Sequence, residues 1–168
     1  MNYKYINFKL NFSTKHNFSN LSTQIFDSVI KLLKSKKVLN IYAKKQQSFE
    51  GWLTVELIEI LLDLGFNNLK PETAEYIDIG ADDLAIEIKI IRSGWKRFDA
   101  DIKKLQKSNT DMRMLLFLYF PCKLPLPATT NLHLERVTSE YKLEYPVIKQ
   151  FLFQDSTPGI IGIFNVPK

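Results

Sequence analysis

The sequence predicts an α/β domain, a mixed central β-sheet flanked by helices, and three observations predict it. Two segments carry apolar residues at spacings of three and four, as helices do. Two runs joined by a short polar turn alternate with a period of two, as strands of a hairpin do. One further run is continuously apolar and ends at a proline, which marks a strand buried on both faces.

The first helical pattern runs from 19 or 22 to about 37, through Leu21, Ile25, Phe26, Val29, Leu32 and Leu33. Its polar face ends in Lys31, Lys34, Lys36 and Lys37, which read as cations complementing the helix dipole. The second covers 49–64, with Ser48 as the expected N-cap and Gly65 as the expected C′ residue. Leu53, Leu57, Leu61 and Leu64 line one face and Val55, Ile58, Ile60 and Leu62 widen it, so this helix is expected to pack on more than one side. The hairpin consists of runs 74–80 and 84–91 around Gly80, Ala81, Asp82 and Asp83. A polar loop over 92–98 leads to a short helix over 99–108, and residues 112–120 form the apolar strand stopped by Pro121. Residues 147–154 and 159–166 read as two closing strands, while 132–145 has no assignable pattern. The first dozen residues alternate loosely and suit a strand or an ordered arm. One domain is expected over 1–168.

Composition excludes several classes. The chain has 168 residues, 45% hydrophobic and 24% charged, which is ordinary for a globular protein. No apolar run approaches the roughly 20 residues needed to span a bilayer, and the first residues lack the apolar core of a signal peptide. The expectation is a protein without membrane contact. A single cysteine, Cys122, fits a reducing, cytoplasmic compartment. His16 and His133 stand alone, so there is no zinc constellation. The net charge of +5 and pI near 9.2 suit a polyanionic partner.

The chemistry concentrates in the hairpin. In 84–91, Leu84, Ile86, Ile88 and Ile90 share one strand face, and Ala85, Glu87, Lys89 and Ile91 share the other. Asp78, on the strand before, sits opposite Ile77 and Ile79 and joins Glu87 and Lys89 if both isoleucine sets face the core. Neighbouring carboxylates on an apolar strand repel and resist ionisation unless something satisfies them. A divalent cation does so, and Mg²⁺ is held by one or two carboxylates plus water and phosphate. Two other acid-x-Lys triplets exist. Asp101-Ile102-Lys103 lies in an expected helix, where residues two apart share no face, and Glu140-Tyr141-Lys142 lies in the unassigned segment. The bland alternative for the trio is a cross-strand salt bridge on a half-solvated sheet.

With these residues the chain resembles the PD-(D/E)XK nuclease superfamily, whose fold is restriction-endonuclease-like. The family order is a helix bearing a glutamate, a hairpin carrying an acid, acid-x-Lys on the next strand, then a helix, and residues 48–120 follow it. The match departs from the written motif in one place, because Ile77 rather than proline precedes Asp78. The resemblance implies catalytic Asp78, Glu87 and Lys89, a helical glutamate, and Mg²⁺ or Mn²⁺ held by the acids. For the glutamate it leaves Glu50, Glu56 and Glu59. Glu56, at the border of the apolar face, is favoured as a catalytic and metal-binding residue. Glu50 sits in a first turn, where the dipole already favours an acid. Asp82 and Asp83 read as turn residues.

The resemblance also implies a nucleic-acid substrate, foremost DNA, contacted by Lys96, Arg97, Lys103, Lys104 and Gln106. Trp95 and Phe98 would stack or anchor the loop. No separate sequence-reading domain is visible, so a homodimer or a partner protein would supply specificity. The competing expectation is a non-catalytic module on the same fold, binding nucleic acid or protein.

Overall fold

The computed structural model describes residues 14–44, 49–72, 77–81, 83–91, 98–120, 128–154 and 156–168. The first dozen residues, Ser48, residues 74–76 of the first hairpin run, Asp82, Trp95, Lys96, Arg97 and Cys122 lie outside them.

Helix α1 (Thr14–Ser35) begins earlier than its pattern suggests. Phe18, 2% exposed, extends the stripe of Leu21, Ile25, Phe26, Val29 and Leu33 by another turn. The helix also ends earlier, and a separate helix α2 (Lys37–Lys44) follows a break at Lys36. Helix α3 (Glu50–Asp63) buries Leu53, Leu57 and Leu61. Ile58 and Ile60 are half-buried against the same core and widen the face of α3 as expected, whereas Val55 and Leu62 stand in solvent at 59% and 53% exposure. Its N-cap position falls on Phe49, and Gly65 takes the left-handed conformation of a C′ residue at φ 90°.

Strands β1 (Lys70–Pro71) and β2 (Ile79–Gly80) are two residues each, whereas β3 (Leu84–Ile91) and β4 (Met112–Tyr119) are eight. Helix α4 (Asp99–Lys107) connects β3 to β4. Helix α5 (Ala128–Glu140) occupies part of the stretch that periodicity left unassigned. Strands β5 (Glu144–Leu152) and β6 (Pro158–Asn165) close the sheet.

The six strands lie in the order β1-β2-β3-β4-β6-β5, with β3 and β4 parallel and the remaining pairs antiparallel. The sheet is therefore mixed, as the sequence predicts, and the apolar strand β4 is central. A parallel pair needs a crossover, and α4 supplies it.

Alternation along the strands builds two cores. Leu84, Ile86, Ile88, Ile90, Met114, Leu116 and Leu118 pack with α1, Leu39 of α2, and α3 on one face. Ala85, Ile91, Leu115, Phe117 and Phe164 pack with Phe98, Ile102 and Leu105 around α4, and with Leu134 and Val137 of α5, on the other. Phe117 lies against Gly162, whose missing side chain makes the room. A Cβ there would run into the Phe117 ring.

The bend at Asp78 sends its two neighbours to opposite sides of the sheet. Ile79 joins the α1–α3 core, but Ile77 joins the α4 core. The expectation that both isoleucines share a face assumes a strand through Asp78, and β2 begins only at Ile79.

Candidate active site

Strand β3 fixes the site. Because Leu84, Ile86, Ile88 and Ile90 face the α1–α3 core, Glu87 and Lys89 must project toward α4. Glu87 is 1% exposed, flanked by an apolar strand.

The outer edge of β3 explains how the acids gather. Strand β2 pairs with β3 only at Ala85 and Ile86. Beyond that point the edge N–H groups have no strand partner among the described residues, and a buried N–H without an acceptor is costly. Two carboxylates supply acceptors. Asp78 Oδ2 accepts the Ile88 N–H at 2.7 Å, and Glu50 Oε2 accepts the Ile90 N–H at 3.2 Å. The register that pairs Ile79 with Ile86 also brings Asp78 beside Glu87.

Helix α4 faces Glu87 and Lys89 with two charged side chains of its own. Lys104 Nζ lies 3.2 Å from Glu87 Oε1 and 3.7 Å from Asp101 Oδ1. Lys89 Nζ lies 3.2 Å from Asp101 Oδ2. Asp101 is itself buried, at 6% exposure.

The electrostatics follow from burial. Desolvation and the neighbouring Asp78 charge raise the Glu87 carboxyl from 4.5 to about 8, against the opposing pull of Lys104. Burial by itself would lower the Lys89 ammonium. The Asp101 carboxylate, helped by the fields of Glu50 and Glu87, instead holds it above its ordinary value.

Of the residues that sequence reasoning singles out, Asp78, Glu87, Lys89 and Lys104 come together. Glu56 does not join them. It lies six residues beyond Glu50 on α3, roughly 9 Å along the axis at 1.5 Å per residue, and forms no hydrogen bond or ion pair with the cluster. Glu50, in the first turn of α3, is the glutamate among those left open that bonds the β3 edge. Lys103 points to solvent. Gln106 lies apart from Glu87, lining a shallow recess with Tyr141, Lys142 and Lys168. Lys96 and Arg97 lie outside the described residues. Asp83 is an exposed turn residue whose carbonyl accepts the Met112 N–H at 2.9 Å.

Asp101 is the member that sequence reasoning missed. Its signal was present: it falls on the apolar stripe of α4, three residues after Phe98 and four before Leu105. An acid in that position needs a partner.

Among the described residues no group of three acidic, histidine or cysteine side chains converges as a ready-made metal cage. The fit to Mg²⁺ rests instead on a pair of carboxylates, which that ion accepts because water and phosphate complete its shell. Asp78 and Glu87 each commit one oxygen, to Ile88 and to Lys104. Their second oxygens, Asp78 Oδ1 and the buried Glu87 Oε2, accept no hydrogen bond from the described residues. Hard oxygen donors on β3 and on the bend just before β2, one of them buried, suit a divalent cation.

Comparison with protein-family models, with curated proteins and with solved structures finds no match for this chain. The functional reading therefore rests on the site.

Proposed function

We propose that this protein is a Mg²⁺- or Mn²⁺-dependent nuclease of the PD-(D/E)XK kind, hydrolysing phosphodiester bonds of nucleic acid, foremost DNA. One observation carries the reading. Glu87 is buried beside Asp78 with an oxygen to spare, on the strand whose next inward-facing residue on that side is Lys89. The element order supports it too: a helix with Glu50 in its first turn, antiparallel strands, β3, α4 and a parallel β4. That order agrees with the restriction-endonuclease-like pattern.

In this reading Asp78 and Glu87 hold the ion through their free oxygens. When bound, the ion neutralises charge on the phosphate and favours ionisation of an attacking water. Lys89 orients that water and stabilises charge developing on the phosphoryl oxygens. Asp101 holds the Lys89 ammonium in its charged form and fixed in direction. Glu50 and Asp78 pin the β3 edge, so the reacting groups sit on rigid backbone. Lys104, 37% exposed, can leave Glu87 for a substrate phosphate while Asp101 keeps it near. A second copy or a partner protein would supply sequence selectivity.

The same ion pairs favour the second reading, a non-catalytic module on this fold. Lys89 and Lys104 already neutralise Asp101 and Glu87, as a structural salt-bridge cluster requires. Cleavage of supercoiled plasmid separates the two. The nuclease reading expects nicking or linearisation with Mg²⁺ or Mn²⁺ and none with chelator. Wild-type protein that cuts neither DNA nor RNA at any metal concentration overturns it.

A further inference from the structure

The chain's positive charge is concentrated in one place. Between Asp27 and Glu50 there is no acidic residue, and there are six lysines: 31, 34, 36, 37, 44 and 45. That segment carries a formal +6, whereas the whole chain carries +5, so everything outside it is close to neutral. Lys31, Lys34, Lys36 and Lys37 are all exposed.

Dipole compensation does not account for them. Helix α1 ends at Ser35, and of these lysines only Lys34 lies in its last turn. Lys36 sits in the break and Lys37 is the first residue of α2, whose first turn contains no acid. A cation at a helix N-terminus opposes the macrodipole, so Lys37 works against the stability of α2. The N-terminus of α2 adds its own positive potential to that of the side chains, against the negative end of α1.

The corner also lies at the C-terminal end of β3, the strand that carries Glu87 and Lys89, on the α1–α3 side of the sheet. Strands β3 and β4 both end there, with Ile91 opposite Tyr119, and Tyr119 pairs with Ile160 at the start of β6. Gln154, in the turn between β5 and β6, donates to the Ser35 carbonyl at 3.4 Å. Phe49 stacks on Phe120 at 5.1 Å, and Phe120 meets Phe153 edge-on at 5.7 Å. Glu50 follows at once and reaches Ile90. The end of α1 and the start of α3 therefore flank one rim, with α2 between them in the chain.

We infer that the α1–α2 corner, through Lys31, Lys34, Lys36 and Lys37, is a docking surface for the phosphate backbone of duplex DNA, extending the substrate track from the Glu87–Lys89 cluster. The inference rests on the nuclease reading for its direction, since a track serves a site at the same rim. Phosphate contacts position a duplex without reading its sequence, and flexible ammonium groups suit that task. Val38, Ile41 and Tyr42 of α2 are also exposed, a mixture that an anionic membrane could accept. The shared sheet end favours DNA, because a duplex lying across that end can meet the lysines of the corner and the Lys89 end of β3 together.

The test compares two variants of equal charge. One replaces Lys34, Lys36 and Lys37 by glutamine. The other replaces Lys70, Lys142 and Lys168, which lie toward the opposite end of the sheet. Binding to a short DNA duplex is measured against salt in metal-free buffer, with circular dichroism verifying both folds. The corner variant is expected to lose about tenfold or more in affinity and about one unit of salt slope for each lysine that meets a phosphate. The control is expected to change by less than half as much. Equal losses in the two variants, or wild-type binding by the corner variant, overturn the inference, as does binding to phosphatidylserine vesicles without binding to duplex. Failure of the nuclease reading looks different: the wild type would bind duplex through the corner yet never cut it.

Discussion

Lys89→Ala is expected to cut the Mg²⁺-dependent cleavage rate by roughly two to four orders of magnitude, the scale for removing an electrostatic or proton-transfer group. The ammonium sits on the same strand face as Glu87, two residues away, and Asp101 holds it in the charged form. The fold is expected to persist, because Asp101 keeps Lys104 at 3.7 Å when Lys89 is gone. Single-turnover kinetics with saturating metal check the rate, and thermal melts check the fold. A variant that melts well below the wild type, with no cleavage to lose in the wild type, would identify Lys89 as a structural cation.

Glu87→Gln is expected to stabilise the metal-free protein in a pH-dependent way. Burial and the Asp78 charge push the folded carboxyl up to about 8, against an ordinary value of 4.5. Below about 4.5 both states carry the proton and the group contributes nothing to the pH dependence. Between 4.5 and 8 the unfolded chain ionises while the folded one holds its proton, so wild-type stability falls as pH rises. Above 8 the full cost is present. Each unit is about 1.4 kcal/mol, and the lost Lys104 bond returns part of the gain, so the benefit above pH 8 should be on the order of 3 kcal/mol. It should vanish near pH 4.5. The same change weakens the ion's site, so its cleavage defect should ease at high Mg²⁺. Denaturant melts of both proteins at several pH values measure the difference. A Glu87→Gln protein less stable than wild type at pH 9 would mean that the Lys104–Glu87 pair outweighs the burial of the charge.

How much of this was legible in the sequence differs from residue to residue, for physical reasons. Strand β3 was legible because its period of two is unbroken over eight residues, and that period alone puts Glu87 and Lys89 on one face. The central position of β4 followed from a run with no polar face. The approach of Asp78 to Glu87 was legible from hairpin pairing, but the route was not. Asp78 sits in a bend outside β2 and reaches the strand by accepting the Ile88 N–H, an edge bond that local periodicity does not encode.

The sequence leaves Glu50 open but less favoured than Glu56, because a first-turn acid already has a dipole explanation. What decides its place is tertiary: β2 is too short to cover the β3 edge, and the first turn of α3 passes beside the N–H left open. That Asp101 and Lys103 share no helix face says nothing about Asp101 itself; what marks it is its place on the stripe with Phe98 and Leu105. Helix α2 was hidden because Lys36 and Lys37 look like the continuing polar face of α1.

Calorimetric titration of Mg²⁺ into the protein at pH 7 and pH 9.5, in buffers of different ionisation enthalpy, tests the proposed ion site most directly. With Glu87 near 8 the carboxyl is mostly protonated at pH 7, so an ion bound through its oxygen must expel close to one proton. The account predicts one saturable site, a buffer-dependent heat at pH 7 that nearly disappears at pH 9.5, and loss of the site in Asp78→Asn but not in Lys89→Ala. An absence of saturable binding at either pH, or binding that Asp78→Asn leaves unchanged, would contradict it.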